Sequence, residues 1–195
     1  MGLAIASIDV DTGHSSVAGG FQAGFNWQFA PTWVAGIEAD CTWTHAKGSF
    51  NGTMTVLAAP PVPLPNSSIA LSTQVDWLAS VRARLGFLLT PNLLAYGTGG
   101  VAWGKVDDAA NNDITTSGYH TSAALSSTPN GYVLGGGLEW AVTNNWLLRG
   151  EYLFYHLNSS QNVIASAVGF PSFPSTYSWD STSINQARAA ISYKF

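Results

Sequence analysis

The chain has 195 residues, of which 46% are hydrophobic and only 9% charged, with a net charge of −4. Typical soluble domains carry roughly 25% charged residues, so a wholly water-facing surface is hard to build from this composition. An acidic balance without a basic run excludes nucleic acid as a partner, and no stretch reaches the roughly 18 apolar residues of a transmembrane helix.

The N-terminal run Gly2 to Val10 is short and weakly patterned, with Leu3 and Ile5 on one face and Ala4, Ala6 and Ile8 on the other. A loop around Asp11–Ser16 follows. Either this stub is the first strand of a sheet or the true first strand lies upstream, and a clipped first strand is the expectation. Met1 leads directly into Gly2-Leu3-Ala4 without a basic n-region or signal-peptide core, so the chain is expected to be mature, clipped or a fragment.

From Gly20 to Phe29 the odd positions are Phe21, Ala23, Phe25, Trp27 and Phe29, opposite Gly20, Gln22, Gly24, Asn26 and Gln28. This period of two predicts a strand with one apolar face. After Ala30-Pro31-Thr32 it resumes with Trp33, Ala35, Ile37, Ala39, Cys41 and Trp43, opposite Glu38, Asp40, Thr42 and Thr44. A third strand, near Val75 to Leu88, sets Val75, Trp77, Ala79, Val81, Ala83, Leu85 and Phe87 against Asp76, Ser80, Arg82 and Arg84. Leu89-Thr90-Pro91-Asn92 turns the chain into the glycine-rich run Leu93 to Trp103. Next, Tyr132, Leu134, Leu138, Trp140 and Val142 oppose Gly135, Gly137 and Glu139. Thr143-Asn144-Asn145 leads to Trp146, Leu148, Tyr152 and Phe154, facing away from Arg149, Glu151 and Tyr155. The last strand, Ser183 to Phe195, carries Ile191, Tyr193 and Phe195 on one face and Gln186, Arg188, Ser192 and Lys194 on the other.

Short connections alternate with long ones. Ala30–Thr32, Leu89–Asn92 and Thr143–Asn145 are short; Lys47–Gln74, Lys105–Asn130 and Asn158–Thr182 are long, polar or proline-rich, and expected to be mobile loops. In the first, Pro60, Pro61, Pro63 and Pro65 argue against ladder pairing. Short turns at one end and long loops at the other are the pattern of an outer-membrane barrel. The fold class is therefore all-β: one domain over residues 1–195, an eight-stranded antiparallel up-and-down transmembrane barrel with seven clear strands and a short or clipped first one.

If the apolar parity faces lipid, the opposite parity fills the bore. Glu38, Asp40, Asp76, Arg82, Arg84, Glu139, Arg149, Glu151, Arg188 and Lys194 all fall on it and are expected to form an interior network of paired charges. Trp27, Trp33, Trp43, Trp77, Trp103, Trp140 and Trp146 lie near strand ends, where interfacial girdles require them; binding carbohydrate is the competing reading of these rings. Cys41, the single cysteine, excludes an internal disulfide and reads as a small apolar residue.

No constellation for catalysis or metal binding stands out, and no cofactor is expected. His14, His45, His120 and His156 lie in expected loops or at strand ends. His45 or His156 could serve a lipid-modifying barrel, but rim residues near lipid headgroups explain them more simply. Glu38 with Asp40 reads as core ion pairs rather than an acid–base couple. Gly97-Thr98-Gly99-Gly100 lacks the following helix of a phosphate loop, and its glycines are expected to relieve crowding in a narrow barrel.

The motifs together resemble the outer membrane immunogenic proteins, small porin-like barrels of alphaproteobacteria. They are Gly24-Phe25-Asn26-Trp27-Gln28, Gly36-Ile37-Glu38-Ala39-Asp40, Val81-Arg82-Ala83-Arg84-Leu85-Gly86-Phe87, Tyr96-Gly97-Thr98-Gly99-Gly100-Val101-Ala102, Gly135-Gly136-Gly137-Leu138-Glu139, Asn144-Asn145-Trp146 with Glu151-Tyr152, and Ser192-Tyr193-Lys194-Phe195. The resemblance runs from about Gly20 to the C-terminus and leaves the long loops unmatched. It implies an eight-stranded barrel in the outer membrane of a Gram-negative bacterium, among its lipids and lipopolysaccharide, with antigenic exposed loops and a role in envelope integrity. It also implies that the barrel-assembly machinery reads the C-terminal strand, through Tyr193 and Phe195. The expected function is a structural, surface-exposed barrel with a plugged interior. The alternatives are a small porin-like diffusion pore, a lipid-modifying barrel enzyme, or a soluble ligand-binding barrel, which would need apolar residues inside.

Overall fold

In hydrocarbon each backbone N–H and C=O must find a protein partner, and a sheet achieves this only by closing on itself. The computed structural model describes residues 2–10, 17–52, 55–56, 62–63, 67–114, 119–158, 161–167, 170–179 and 181–195. In chain order its strands are β1 (Gly2–Val10), β2 (Val17–Gln28), β3 (Trp33–Gly52), β4 (Thr55–Val56), β5 (Val62–Pro63), β6 (Ser67–Thr90), β7 (Leu93–Ile114), β8 (Tyr119–Ser127), β9 (Asn130–Ala141), β10 (Trp146–Asn158), β11 (Gln161–Ala167), β12 (Phe170–Trp179) and β13 (Thr182–Lys194). Eight of them form a closed antiparallel ring, β1–β2–β3–β6–β7–β9–β10–β13, in which β13 pairs back onto β1.

The N-terminal run therefore completes the ring, whereas its weak alternation favoured a clipped strand. The register against β13 shifts between Ala4 and Ala6, and a bulge at that point moves the alternation by one residue. No single parity can run through β1. The expected loop Asp11–Ser16, with His14, lies outside the described residues.

The outward parity carries the apolar side chains. Phe25, Ile37, Val81, Leu85, Leu134, Leu138 and Ile191 are each more than half exposed on the outer wall. Two aromatic rings bound this band. Trp27, Trp33, Trp140 and Trp146 lie beside the short turns, and Trp43, Trp77 and Trp103 lie toward the other end. All but Trp77 are exposed; Trp77 is half-buried beside its register partner Trp43. From Trp33 to Trp43 the chain rises about 34 Å along the strand, or about 25 Å in height at a tilt of about 40°, which matches the apolar band of an outer-membrane barrel.

β3, β6 and β7 continue past the upper aromatics, so much of the sequence expected to form mobile loops is strand. Lys47–Gly52 pairs with β6 in an unbroken ladder, and β8 takes over from β9 as the partner of β7 above Pro129. β11 and β12 form a separate hairpin within the third expected loop. Even Val62–Pro63 pairs with Thr55–Val56, while Pro60, Pro61 and Pro65 lie outside the described residues. Above the lipid a strand needs only its ladder, and an apolar outward face no longer marks it.

The bore holds two layers. Nearer the short turns it is charged. Toward the other end Val75, Leu78, Ala102, Val106, Val133, Leu153, Tyr155 and Leu157 pack into one buried cluster, with Ile184 against it. Val75 was expected on the outer wall with Trp77. The β6–β7 register skips Asp76 between Val75 and Trp77, and this bulge turns Val75 inward.

Candidate functional site

The sequence contains four arginines and three glutamates, and the fold collects all seven in the bore, together with Asp40. Four guanidiniums meet four carboxylates, so the charge of this set sums to zero. Glu38 and Asp40 come from β3, Arg82 and Arg84 from β6, Glu139 from β9, Arg149 and Glu151 from β10, and Arg188 from β13. Each projects inward because it sits on the parity opposite the lipid-facing residues.

The pairs interlock around the ring. Arg84 Nη1 lies 2.7 Å from Glu38 Oε1 and 3.1 Å from Glu139 Oε2. Arg149 reaches the same two acids, at 2.8 Å from Glu38 Oε1 and 2.5 Å from Glu139 Oε2. One level further in, Arg82 Nη2 lies 3.0 Å from Asp40 Oδ1 and 3.5 Å from Glu151 Oε1. Arg188 joins Asp40 at 3.3 Å, pairs with Glu151 through Nε, and donates to Gln22 Oε1 at 3.1 Å. The Arg84 guanidinium also stacks 3.9 Å over the Tyr96 ring. Arginine suits such a site because its flat, permanently charged fork can serve two carboxylates at once.

Asp76 and Lys194, expected in this network, stand outside it. The bulge that turns Val75 inward lifts Asp76 to the partly exposed wall, where it accepts hydrogen bonds from Lys105 Nζ at 2.9 Å and Gln74 Nε2 at 2.7 Å. Those bonds, Lys105 first, hold the Asp76 carboxyl below the usual carboxylate range and raise the Lys105 ammonium in turn. Lys194 is exposed at the end of β13, where it lines the opening of the bore on the short-turn side.

Residues outside the charged set complete the bore. Tyr96 donates to Glu151 Oε2 at 2.7 Å, and Ser80 donates to Asp40 Oδ1 at 2.5 Å. Glycines make the crowding possible: a Cβ on Gly137 would lie 2.7 Å from Glu151 Cβ and 2.8 Å from the Tyr96 hydroxyl. At Gly100 it would lie 2.0 Å from the Val81 carbonyl oxygen. Tyr96 could have been found from sequence, as the one aromatic on the inward parity of the glycine-rich β7.

The other singled-out residues lie on the periphery. His156 Nδ1 is 3.1 Å from Ser183 Oγ on the outer wall at the upper ring, beside Tyr132. His120 is exposed, 3.9 Å from Asp113. Cys41 is half-buried on the lipid-facing parity. Tyr193 packs edge-on against Trp146 at 5.2 Å and Phe195 at 5.0 Å, and Phe195 is exposed. The Lys194 N–H donates to Asn145 O at 2.7 Å, and Asn145 Nδ2 donates back to Lys194 O at 2.9 Å. The end of β13 is thereby fastened to the β9–β10 turn.

The family model for the outer membrane protein beta-barrel domain matches residues 1–195. The 31 kDa outer-membrane immunogenic protein of Brucella melitensis is 34% identical over 189 residues, which cover 97% of this chain and 70% of that protein. The 22 kDa outer membrane protein of Rhizobium leguminosarum is 32% identical over 133 residues, 67% of this chain and 48% of that protein. Among solved structures, the outer membrane protease OmpT from Escherichia coli superposes with a TM-score of 0.52 at 12% identity, over 92% of this chain and 64% of that one. At that identity the likeness concerns the fold alone.

Proposed function

Since this chain belongs to the outer membrane protein beta-barrel domain family and is an outer-membrane barrel of a Gram-negative envelope, we propose that its role there is structural and surface-exposed, with a bore closed to solutes and no catalytic activity. The observation that carries this reading is a ring of only eight strands filled along its length by side chains, a neutral, interlocked set of four arginines and four acids and, beyond it, a buried apolar cluster. Such a ring is just wide enough for its own side chains. A conducting pore needs an unoccupied, hydrated path with a bias of charge along its wall, and here the charges neutralise one another. The strands and hairpin above the upper aromatics supply the exposed, antigenic surface, among outer-leaflet lipopolysaccharide. His156 and Ser183 serve as polar residues of the interface.

Single-channel recording of the purified protein in planar bilayers tests the closed bore. Silence is expected; steady conductance would favour the porin-like alternative. The barrel-assembly machinery is the proposed partner of the C-terminal strand. Deleting Phe195 is expected to lower the yield in the outer membrane of cells while refolding in detergent proceeds normally. Equal yields in cells would remove that partner from the account.

A further inference from the structure

The charged layer and the apolar layer of the bore differ in more than polarity. At the short-turn end the bore opens into a cavity of about 260 Å³ lined by Asn26, Gln28, Asn92, Glu139 and Lys194 among others. A second void of about 30 Å³ lies further in, against Gln22, Glu38, Arg149 and Ser192, and shares Asn26 and Leu147 with the first. Ser192 Oγ, on its wall, and Arg84 Nε and Nη2, beside Glu38, are buried polar atoms that make no hydrogen bond among the described residues, and Glu38 Oε2 has only the 3.5 Å contact with Arg82 Nη2. Arg82 Nε and Nη1 likewise make no hydrogen bond among the described residues, one level higher. Guanidinium donors exceed the carboxylate acceptors facing them, and an orphaned buried polar group is costly unless water reaches it. A polar void of this size holds about one water.

The apolar layer offers the opposite chemistry. Ala102, Val106, Val133, Leu153, Tyr155 and Leu157 have no exposed surface at all. Leu78 and Val75 complete the layer from β6. Most of its wall is hydrocarbon, with Thr42 beside Leu78, Gln186 beside Leu153 and the Tyr155 hydroxyl as its polar groups, and apolar constrictions close pores by excluding water.

We propose that the apolar layer, and not the ion-pair network, closes the barrel, and that the network lines a blind, hydrated pocket open only toward the periplasm. This rests on the closed-bore reading and says which residues do the closing. The pocket admits small polar solutes from the turn side to Glu139 and Lys194 and water as far as Glu38 and Arg149; the packed Arg82 and Asp40 lie beyond it, and transport stops at Leu78, Leu153 and Leu157. The ion pairs hold strands together across the bore; the leucines keep it shut.

The test is a planar-bilayer recording of the full chain, on variants that keep heat-modifiable gel mobility. The wild type is expected to be silent, Leu153→Ser/Leu157→Ser to conduct steadily, and Arg188→Gln to stay silent. A silent leucine variant, or conductance from Arg188→Gln, would overturn the proposal. Steady conductance by the wild type would instead defeat the closed-bore reading beneath it. Should the double variant fail to fold, single cysteines in a Cys41→Ala background give a second measurement. Ser192→Cys is expected to react about tenfold faster with a water-soluble methanethiosulfonate than Val133→Cys, since thiol reactivity follows access to solvent; equal or reversed rates would overturn the proposal.

Discussion

The Tyr96 hydroxyl donates a 2.7 Å hydrogen bond to Glu151 Oε2 across two strands, β7 and β10, that share no backbone ladder. β9 lies between them, and Gly137 of β9 leaves the gap that the bond passes over. The contact therefore joins the wall of the barrel through its middle, in addition to the hydrogen bonds around it.

Tyr96→Phe removes this bond but leaves Glu151 with Arg82 and Arg188, so the expected loss is about 1 kcal/mol of unfolding free energy. Gly137→Val is expected to cost more, because its side chain displaces both Tyr96 and Glu151. Urea unfolding in lipid vesicles, followed by tryptophan fluorescence, checks the order. A Gly137→Val protein as stable as Tyr96→Phe would show that the glycine is not there to clear this space.

The two faces of β6 are predicted to tolerate charge differently. Val81 is exposed on the outer wall, and Val81→Arg there is expected to cost about 2–4 kcal/mol of membrane insertion. Ser80→Ala, on the bore side, loses one hydrogen bond to Asp40 and is expected to insert nearly normally. Equal membrane yields for the two variants would mean that the faces are inverted.

The Asp76–Lys105 pair above the upper ring gives a pH signature. The fold holds the Asp76 carboxyl below its ordinary range through Lys105 and then Gln74, so it favours the ionised form more than the unfolded chain does. The contribution is present above the ordinary carboxylate pKa and is lost as the pH falls through the lowered value. Lys105→Met is therefore expected to melt slightly below wild type at neutral pH and to match it once the pH lies below the lowered value. The effect is small because both groups face water. A difference that persists at low pH would point to packing rather than charge.

Much of this was legible in the sequence, for a physical reason that also explains the gaps. Inside the lipid, alternation is enforced on both faces at once: Phe21 to Phe29 had to be apolar and Gln22 to Gln28 had to pack in a narrow bore. Where that constraint lapses, reading by parity fails. At Asp76 a single bulged residue reverses the alternation, so Val75 and Asp76 exchange the faces assigned to them. At Ala4 the same device hides β1. Above the aromatic ring, Lys47–Gly52 and Asp107–Ile114 continue as strands beyond the lipid, and their polar residues look like loop. The upper layer was missed because Leu78, Val133, Leu153 and Leu157 are apolar residues on the parity taken to be charged. The family resemblance read from the strand motifs agrees with the match to the outer membrane protein beta-barrel domain.

The central claim is that hydrocarbon touches one parity of each membrane-spanning strand and never the other. Nuclear Overhauser contacts from lipid acyl protons to leucine and valine methyls, in nanodiscs, measure this most directly. Val81, Leu85, Leu138 and Leu148 are expected to show strong contacts to lipid, and Leu78, Leu153 and Leu157 none. Acyl contacts to the second group, with silence from the first, would contradict the account.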